Sequence, residues 1–265
     1  TGSSKLIEVI AATGGALLTA CFVSVGSISY RGRQSRDDLV RNTTAIELLT
    51  TKIDDMHDDM KEVFHEAILR LKQEEPVVIA TVVKTKGSTP QKPGAKLLVR
   101  QDGSGAGTLG GGCVEGDIWY AAKQMMDSGD SPDYREYELN EDLAADDGLV
   151  CGGTMYFLID PVYEASQYLP FAQEIDSAYE GNGSVALASI VKSSSDGRSK
   201  IGDKLFIRED GSTEGTLGND QMDVDAISKA NYLMIHGNNE YVIFENGAEY
   251  FIEAYTTPPQ LVICG

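Results

Sequence analysis

The order of hydrophobic and polar residues divides the chain into three kinds of stretch. Residues 9–30 carry no charged side chain, and this run of 22 residues is long enough to span a hydrocarbon layer of ~30 Å. Residues 37–73 place apolar side chains three and four positions apart, which is typical of an amphipathic helix. From residue 76 onward, short apolar β-branched runs alternate with turns rich in Gly and Pro. The chain is therefore predicted to be α/β, with strand-rich units after a long N-terminal helix.

The leading segment has more than one interpretation. Arg31, Arg33 and Arg36 follow the uncharged run, and by the positive-inside rule they would hold its C-terminal side in the cytoplasm. The run is rich in Gly, Ala, Ser and Thr, so a buried helix or an appended stretch are alternatives to a membrane helix. Met60 is also a candidate start residue, in which case residues 1–59 are an added module. We expect a transmembrane segment within residues 1–36 and an amphipathic helix over residues 37–75.

An internal repeat gives the most useful information. Residues 77–126 align without a gap to residues 185–234, at a constant offset of 108, with 19 identities in 50 positions. Each copy has a buried strand, a second strand, a GTLG turn and a helix, and each continues to a strand that ends near an acid, Asp160 or Glu253. We therefore predict two pseudo-repeated α/β units that pack together, over residues 76–162 and 163–257.

The second copy serves as a control for the first. GGCVEG at 111–116 is replaced by NDQMDV at 219–224, so the fold does not need Cys113 or the glycines around it. Lys86 and the stretch from Gly87 to Pro90 also have no counterpart. The other basic residues of this stretch do have a basic counterpart, and we predict that they lie on solvated strand faces. They are Lys84, Lys92, Lys96 and Arg100 in the first copy, and Lys192, Lys200, Lys204 and Arg208 in the second.

Two cysteines in glycine-rich settings are candidates for chemistry. A glycine run ahead of a helix, here GTLGGGCVEG, lets backbone N–H groups approach an anion closely. A thiol there tends toward thiolate, so Cys113 is predicted to be nucleophilic or metal-seeking. Cys151 lies in GLVCGGTM, and we expect the two thiols to share one site. The alternative is a pair of unrelated turn cysteines.

The composition argues against several classes of function. The net charge of −19 argues against a nucleic-acid partner. The four cysteines form no CxxC, so neither a closed zinc site nor a disulfide framework follows, and a reducing compartment is the simpler expectation. None of the three histidines lies in the glycine and cysteine motifs, so a nucleophilic cysteine would lack the usual base.

Three motifs resemble the XdhC/CoxI family of xanthine dehydrogenase accessory proteins: GSTPQKPGAKLLV, DGSGAGTLGGGCVEGDI and GLVCGGTMYFLIDPV. The resemblance covers about residues 60–265, and PPQLVICG, with residues 258–265, resembles the first strand of the family's C-terminal Rossmann domain. It implies binding of the molybdenum cofactor, molybdopterin, with Cys113 as a metal ligand. The residues it implies at the cofactor are Lys86, Ser88, Thr89, Gly110, Gly111, Gly112, Cys113, Glu115, Gly116, Cys151, Gly152 and Gly153.

The resemblance further implies an accessory protein rather than an enzyme. Such a protein holds molybdopterin and assists its sulfuration and insertion into a molybdenum hydroxylase of the xanthine dehydrogenase type. Expected partners are that apoenzyme, a cysteine desulfurase and further copies of this chain. The expected location is the cytoplasm, with residues 9–30 as a tether to the inner membrane. The alternative is a cysteine-dependent enzyme, or a nucleotide-dependent oxidoreductase that uses a Rossmann domain beyond this chain.

Overall fold

The computed structural model describes residues 59–139, 152–195 and 197–257. These ranges form two antiparallel five-stranded sheets and four helices, so the mixed α/β class is confirmed. No helix within them is long and apolar enough to cross a membrane. The uncharged run at residues 9–30, most of the predicted leading helix and the strand predicted at residues 258–265 lie outside the described residues.

The first sheet has the strand order β3-β2-β1-β5-β4. Its strands are β1 (Val77–Lys86), β2 (Lys96–Arg100), β3 (Gly105–Gly107), β4 (Asp133–Glu138) and β5 (Thr154–Val162). The second sheet has the order β8-β7-β6-β10-β9. Its strands are β6 (Val185–Lys192), β7 (Lys204–Arg208), β8 (Thr213–Gly215), β9 (Asn239–Ile243) and β10 (Glu249–Tyr255).

Strand register repeats between the sheets at the offset seen in the sequence. Val77 pairs with Arg100 in the first sheet, and Val185 pairs with Arg208 in the second. All four positions obey the shift of 108 residues. The corresponding strands therefore present corresponding side chains to each face, which makes residue-by-residue comparison of the two sheets meaningful.

The helices separate into an inner and an outer set. The outer helices are α2 (Gly112–Ser128) on the first sheet and α4 (Asp220–His236) on the second. The inner helices are α1, described over residues 59–71, and α3 (Ala165–Tyr179). Phe64 of α1 and Phe171 of α3 join strand residues such as Val77 and Val185 in one central core. Because β1 is covered on both faces, its run of apolar residues is buried throughout, although the sheet is antiparallel.

Helix α2 begins earlier than the apolar spacing indicates. Ile118, Ala121 and Met125 are buried against the sheet as the spacing predicts. The glycine motif itself supplies the first helical turn, from Gly112 onward. The candidate residues from Gly112 to Gly116 therefore lie in the helix and not in a loop ahead of it.

The prediction that the shared lysines lie on solvated strand faces is wrong for two of them. The side chain of Lys96 is 2% exposed and contacts Glu253, and that of Lys204 is 17% exposed and contacts Asp160. The reason is that the two sheets face each other, and each lysine meets an acid from the opposite sheet. Arg100 and Arg208 are likewise paired, with Glu66 of α1 and Glu174 of α3.

Candidate functional site

The glycine motifs and the GSTP loop meet at one end of α2. A Cβ added to Gly153 would collide with the backbone oxygen of Ser88, and one added to Gly110 would lie 2.6 Å from Cβ of Pro90. The GSTP loop thus lies against the backbone of both glycine motifs. We call residues 86–91, 109–116 and 152–153 the glycine edge. Stretches that are 20 to 60 residues apart in the chain are contiguous there.

Glu115 holds the loop that precedes α2. Its Oε2 accepts hydrogen bonds from the Thr108 hydroxyl at 2.9 Å and from the N–H groups of Leu109 at 2.8 Å and Gly111 at 3.0 Å. In the second sheet Asp223 accepts from the Thr216 hydroxyl and the Leu217 N–H at 2.7 and 2.8 Å. Glu115 therefore orients the loop by a contact that both halves use. Thr108 was not predicted from the sequence, although Thr and an acid recur seven residues apart in both copies.

The two outer helices differ at their first residue. Gly111, the N-cap of α2, has no side chain to cap the helix, and its φ of 74° and ψ of −173° belong to a region used almost only by glycine. Asn219 stands at the corresponding position of α4, where its side chain accepts from the N–H groups of Gln221 and Met222 at 2.9 and 3.2 Å. The start of α4 is thus capped by its own chain, whereas the start of α2 presents backbone N–H groups without a side-chain cap.

A second asparagine lies beside the start of α4, in the turn between β9 and β10. The Asn246 side chain accepts from the Ala248 N–H at 3.0 Å and directs its amide nitrogen to the sulfur of Met222 at 3.4 Å. Two asparagine side chains therefore lie at the start of α4, whereas the N-cap position of α2 carries no side chain.

Several glycines of the edge are not required by packing. A Cβ on Gly111, Gly112, Gly116 or Gly152 would meet no heavy atom within 4 Å. Gly116 is helical and exposed, and α4 has Val224 at the same place. An exposed glycine inside a helix costs about 0.5–1 kcal/mol relative to alanine. Gly111 and Gly112 have a positive φ that favours glycine, whereas neither packing nor the backbone conformation requires glycine at Gly116 and Gly152.

The remaining predicted residues have mixed positions. Lys86 and Ser88 are exposed beside the glycines, while the Thr89 hydroxyl donates to the Gln91 carbonyl at 3.0 Å within the turn. The backbone of Cys113 lies in the first turn of α2, but its side chain and the whole of Cys151 are outside the described part. Among the described residues, no group of three or more His, Cys, Asp or Glu side chains could hold a metal ion. The sharing of one site by the two thiols stays a prediction.

Comparison with known proteins adds a family and a fold. The chain is 29% identical over 119 residues to the molybdenum cofactor insertion chaperone PaoD of Escherichia coli (strain K12), covering 45% of this chain and 37% of PaoD. It is 39% identical over 57 residues to a protein of Bacillus subtilis (strain 168) that is named as a probable subunit of xanthine dehydrogenase, covering 22% of this chain and 17% of that protein. The chain thus spans well under half of either relative.

A solved xanthine dehydrogenase from Bacillus halodurans has a similar fold, with a TM-score of 0.51 and 24% identity, over 72% of this chain and 53% of that one. The sequence profile of the XdhC and CoxI family matches residues 70–138 and 178–244, which together are just over half of the chain. Both matched segments contain a central strand, a GTLG turn and an outer helix of the fold described above. This chain belongs to the XdhC and CoxI family.

Proposed function

We propose that this chain is an accessory protein that holds the molybdenum cofactor as cargo and assists its insertion into a hydroxylase of the xanthine dehydrogenase type. One observation carries the proposal. Gly111 leaves bare the N-cap position that Asn219 fills in the otherwise equivalent half. A protein that binds nothing at the glycine edge would gain stability from the asparagine cap, because asparagine at this position is favoured over glycine by roughly a few tenths of a kcal/mol.

The residues of the glycine edge fit molybdopterin, which is a pterin with a dithiolene and a phosphate tail. N–H groups at a helix start bind phosphate, and the positive end of the helix dipole favours its charge. The bare surface at Gly116 and Gly152 gives a flat ring system room to approach. Exposed Lys86 supplies a cation, and exposed Ser88 supplies a hydroxyl. The Thr89 hydroxyl instead donates a hydrogen bond within its own turn.

The chemistry of sulfur is assigned to Cys113 in this proposal. A cysteine in the first turn of a helix tends toward thiolate, and thiolates are soft ligands for transition metals. Cys113 would ligate molybdenum or relay sulfur during sulfuration, with Cys151 as its partner and a cysteine desulfurase as the sulfur source. Glu115 contributes by fixing the loop through the bonds already described.

The names of the two relatives support a hydroxylase of the xanthine dehydrogenase type as the partner. One is a molybdenum cofactor insertion chaperone, and the other is named as a probable part of xanthine dehydrogenase. A role as an accessory protein, without turnover of its own, agrees with the first name. Cytoplasmic location, self-association, a tether through residues 9–30 and the division into units at residues 76–162 and 163–257 are further parts of the proposal.

Native mass spectrometry tests the proposal. The full chain is isolated from cells that make the cofactor and its bound mass is measured beside Cys113→Ala and Cys21→Ala, the second a matched loss of one thiol outside the family match. We expect a molybdopterin mass on the wild type and on Cys21→Ala, and reduced occupancy on Cys113→Ala with an unchanged unfolding midpoint. Equal occupancy in all three would remove Cys113 from the site, and no bound mass in any of them, even with added cofactor, would contradict the function.

A further inference from the structure

A second candidate site lies at the opposite end of α2 from the glycine edge. A cavity of about 290 Å³ opens to solvent where the turn after α2, the end of β5, the start of α3 and the loop before β7 meet. Its lining includes Asp130, Pro132, Asp160, Tyr163, Tyr168 and Lys204. Helix α2 has 17 residues, so about 25 Å of helix separates this cavity from the glycine edge.

The floor of the cavity is polar and incompletely satisfied. The Lys204 ammonium contacts Asp160 at 2.6 Å and the Gly202 carbonyl at 2.9 Å, which uses two of its three hydrogens. Tyr168 is 4% exposed, and its hydroxyl makes no hydrogen bond within the described part of the chain. Burial raises the pKa of Tyr168 well above its ordinary value, so the hydroxyl keeps its hydrogen at neutral pH. One ammonium hydrogen of Lys204 and the hydroxyl of Tyr168 therefore remain as donors among the residues that line the cavity.

The walls are flat and fixed in place. The Tyr163 hydroxyl lies 2.7 Å from the Met125 carbonyl and 2.9 Å from the Asp130 carbonyl, which anchors its ring at the rim. Pro132 packs closely against Gly202 on the other side. The rings of Tyr163 and Pro132 both line the cavity, and contact with an aromatic ring favours a planar guest over a branched one.

The residue at the position of Val162 differs between the two halves. Val162 lines the cavity and pairs with Val77, whereas Tyr255 pairs with Val185 at the corresponding place. The Tyr255 ring packs edge-on against Phe64 and Tyr179, with centroids 5.4 and 5.9 Å away. The strand that lines the cavity therefore ends in a small side chain in the first half and in a large one in the second.

The charges of the lining select the guest. Asp160 neutralises Lys204, and Asp130 at the rim adds a negative charge, so an anion would be repelled on entry and meet no free cation among the described lining residues. A volume of about 290 Å³ is just below the usual range for drug-sized ligands. We propose that this cavity binds a small uncharged heteroaromatic ring that carries a carbonyl or ring-nitrogen acceptor for Tyr168 and Lys204. This proposal does not depend on the function of the glycine edge.

Nicotinamide and nicotinate are suitable probes because they are nearly the same size and differ in charge. Each is titrated into the full chain while backbone amide signals are followed by NMR. We expect nicotinamide to shift signals of residues 129–132 and 160–168, and nicotinate to shift them more weakly. A stronger effect of nicotinate, or no shift of these signals by nicotinamide up to its solubility limit, would overturn the proposal.

Two variants test the residues in the same titration. Tyr168→Phe keeps the volume and removes the donor, and we expect about tenfold weaker nicotinamide binding with an unchanged unfolding midpoint. Val162→Tyr enlarges a residue that lines the cavity and should abolish the shifts. Tyr255→Phe, a control that removes a tyrosine hydroxyl outside the cavity lining, should bind as the wild type does. Unchanged binding in both Tyr168→Phe and Val162→Tyr would place the probe elsewhere and contradict the proposal.

Discussion

Lys96 of β2 and Glu253 of β10 form a buried ion pair that joins the two sheets. The ammonium lies 2.6 and 2.8 Å from the two carboxylate oxygens and 3.0 Å from the Thr81 hydroxyl. Burial lowers the pKa of Lys96, and the carboxylate opposes that shift. Lys204 and Asp160 form the reciprocal pair, with the lysine now on the second sheet. Each half thus supplies the counter-ion of the other, which fixes their relative position.

Breaking the Lys96 pair on one side should be strongly destabilising. Lys96→Met leaves the Glu253 carboxylate buried without a counter-ion, and we expect a loss of about 3–5 kcal/mol in the free energy of unfolding. The double variant Lys96→Met with Glu253→Leu should recover most of that loss. Lys61→Ala removes the exposed pair with Glu180 and should cost at most about 1 kcal/mol. Urea unfolding measures all three, and equal losses for the single and the double variant would contradict a buried pair of this kind.

The contact between Glu66 and Arg100 should make the free energy of unfolding depend on pH in the acid range. Hydrogen bonds from Arg100, and then from Arg70, hold the pKa of Glu66 below its ordinary value of 4.5. The folded state therefore binds this proton less readily than the unfolded state. Its stabilising contribution is complete above the ordinary pKa and is lost as the pH falls through the lower folded value.

Glu66→Gln tests this dependence. After allowance for solvent screening, we expect it to cost about 1 kcal/mol near neutral pH, and we expect its difference from the wild type to shrink as the pH falls below the folded pKa. Urea unfolding over a pH series gives the two curves. A gap that is constant, or that widens in acid, would show that the carboxylate is not held in this way.

Replacing Gly116 by alanine should raise the stability of the fold and weaken the binding of molybdopterin. Gly116→Ala places a methyl group in open space on a helix and should raise the free energy of unfolding by about 0.5–1 kcal/mol. The same methyl group would obstruct the bare surface at this residue and weaken molybdopterin binding. Gln124→Ala, two turns further along α2 and also exposed, is the control and should change neither quantity much. Thermal unfolding and cofactor titration decide the matter, and unimpaired binding by Gly116→Ala would argue against contact at this residue.

Asn219 should matter to folding and not to binding. Asn219→Ala removes the bonds to the N–H groups of Gln221 and Met222 and should cost about 1 kcal/mol. Molybdopterin binding should stay unchanged, since the capped helix lies in the half that we assign no cofactor. A parallel fall in cofactor affinity and stability would show that both halves contribute to the site.

The sequence predicted the elements better than their contacts. Apolar spacing located the helix that contains Ile118 and the buried run from Val77, because burial periodicity is a local property. It missed the burial of Lys96 and Lys204, since their partners are in the opposite sheet and only packing reveals them. Local pattern also placed the start of α2 too late, because glycine is a poor helix former and Gly112 and Gly116 were expected outside the helix.

Hydrogen exchange with and without molybdopterin tests the central claim most directly, because it compares the two halves in one sample. We expect slower exchange of the backbone amides at residues 109–116 when molybdopterin is added, with no change at residues 217–224, where Asn219 caps the helix. Protection at residues 217–224, or none at residues 109–116 under saturating cofactor, would contradict the assignment of the glycine edge as the binding surface.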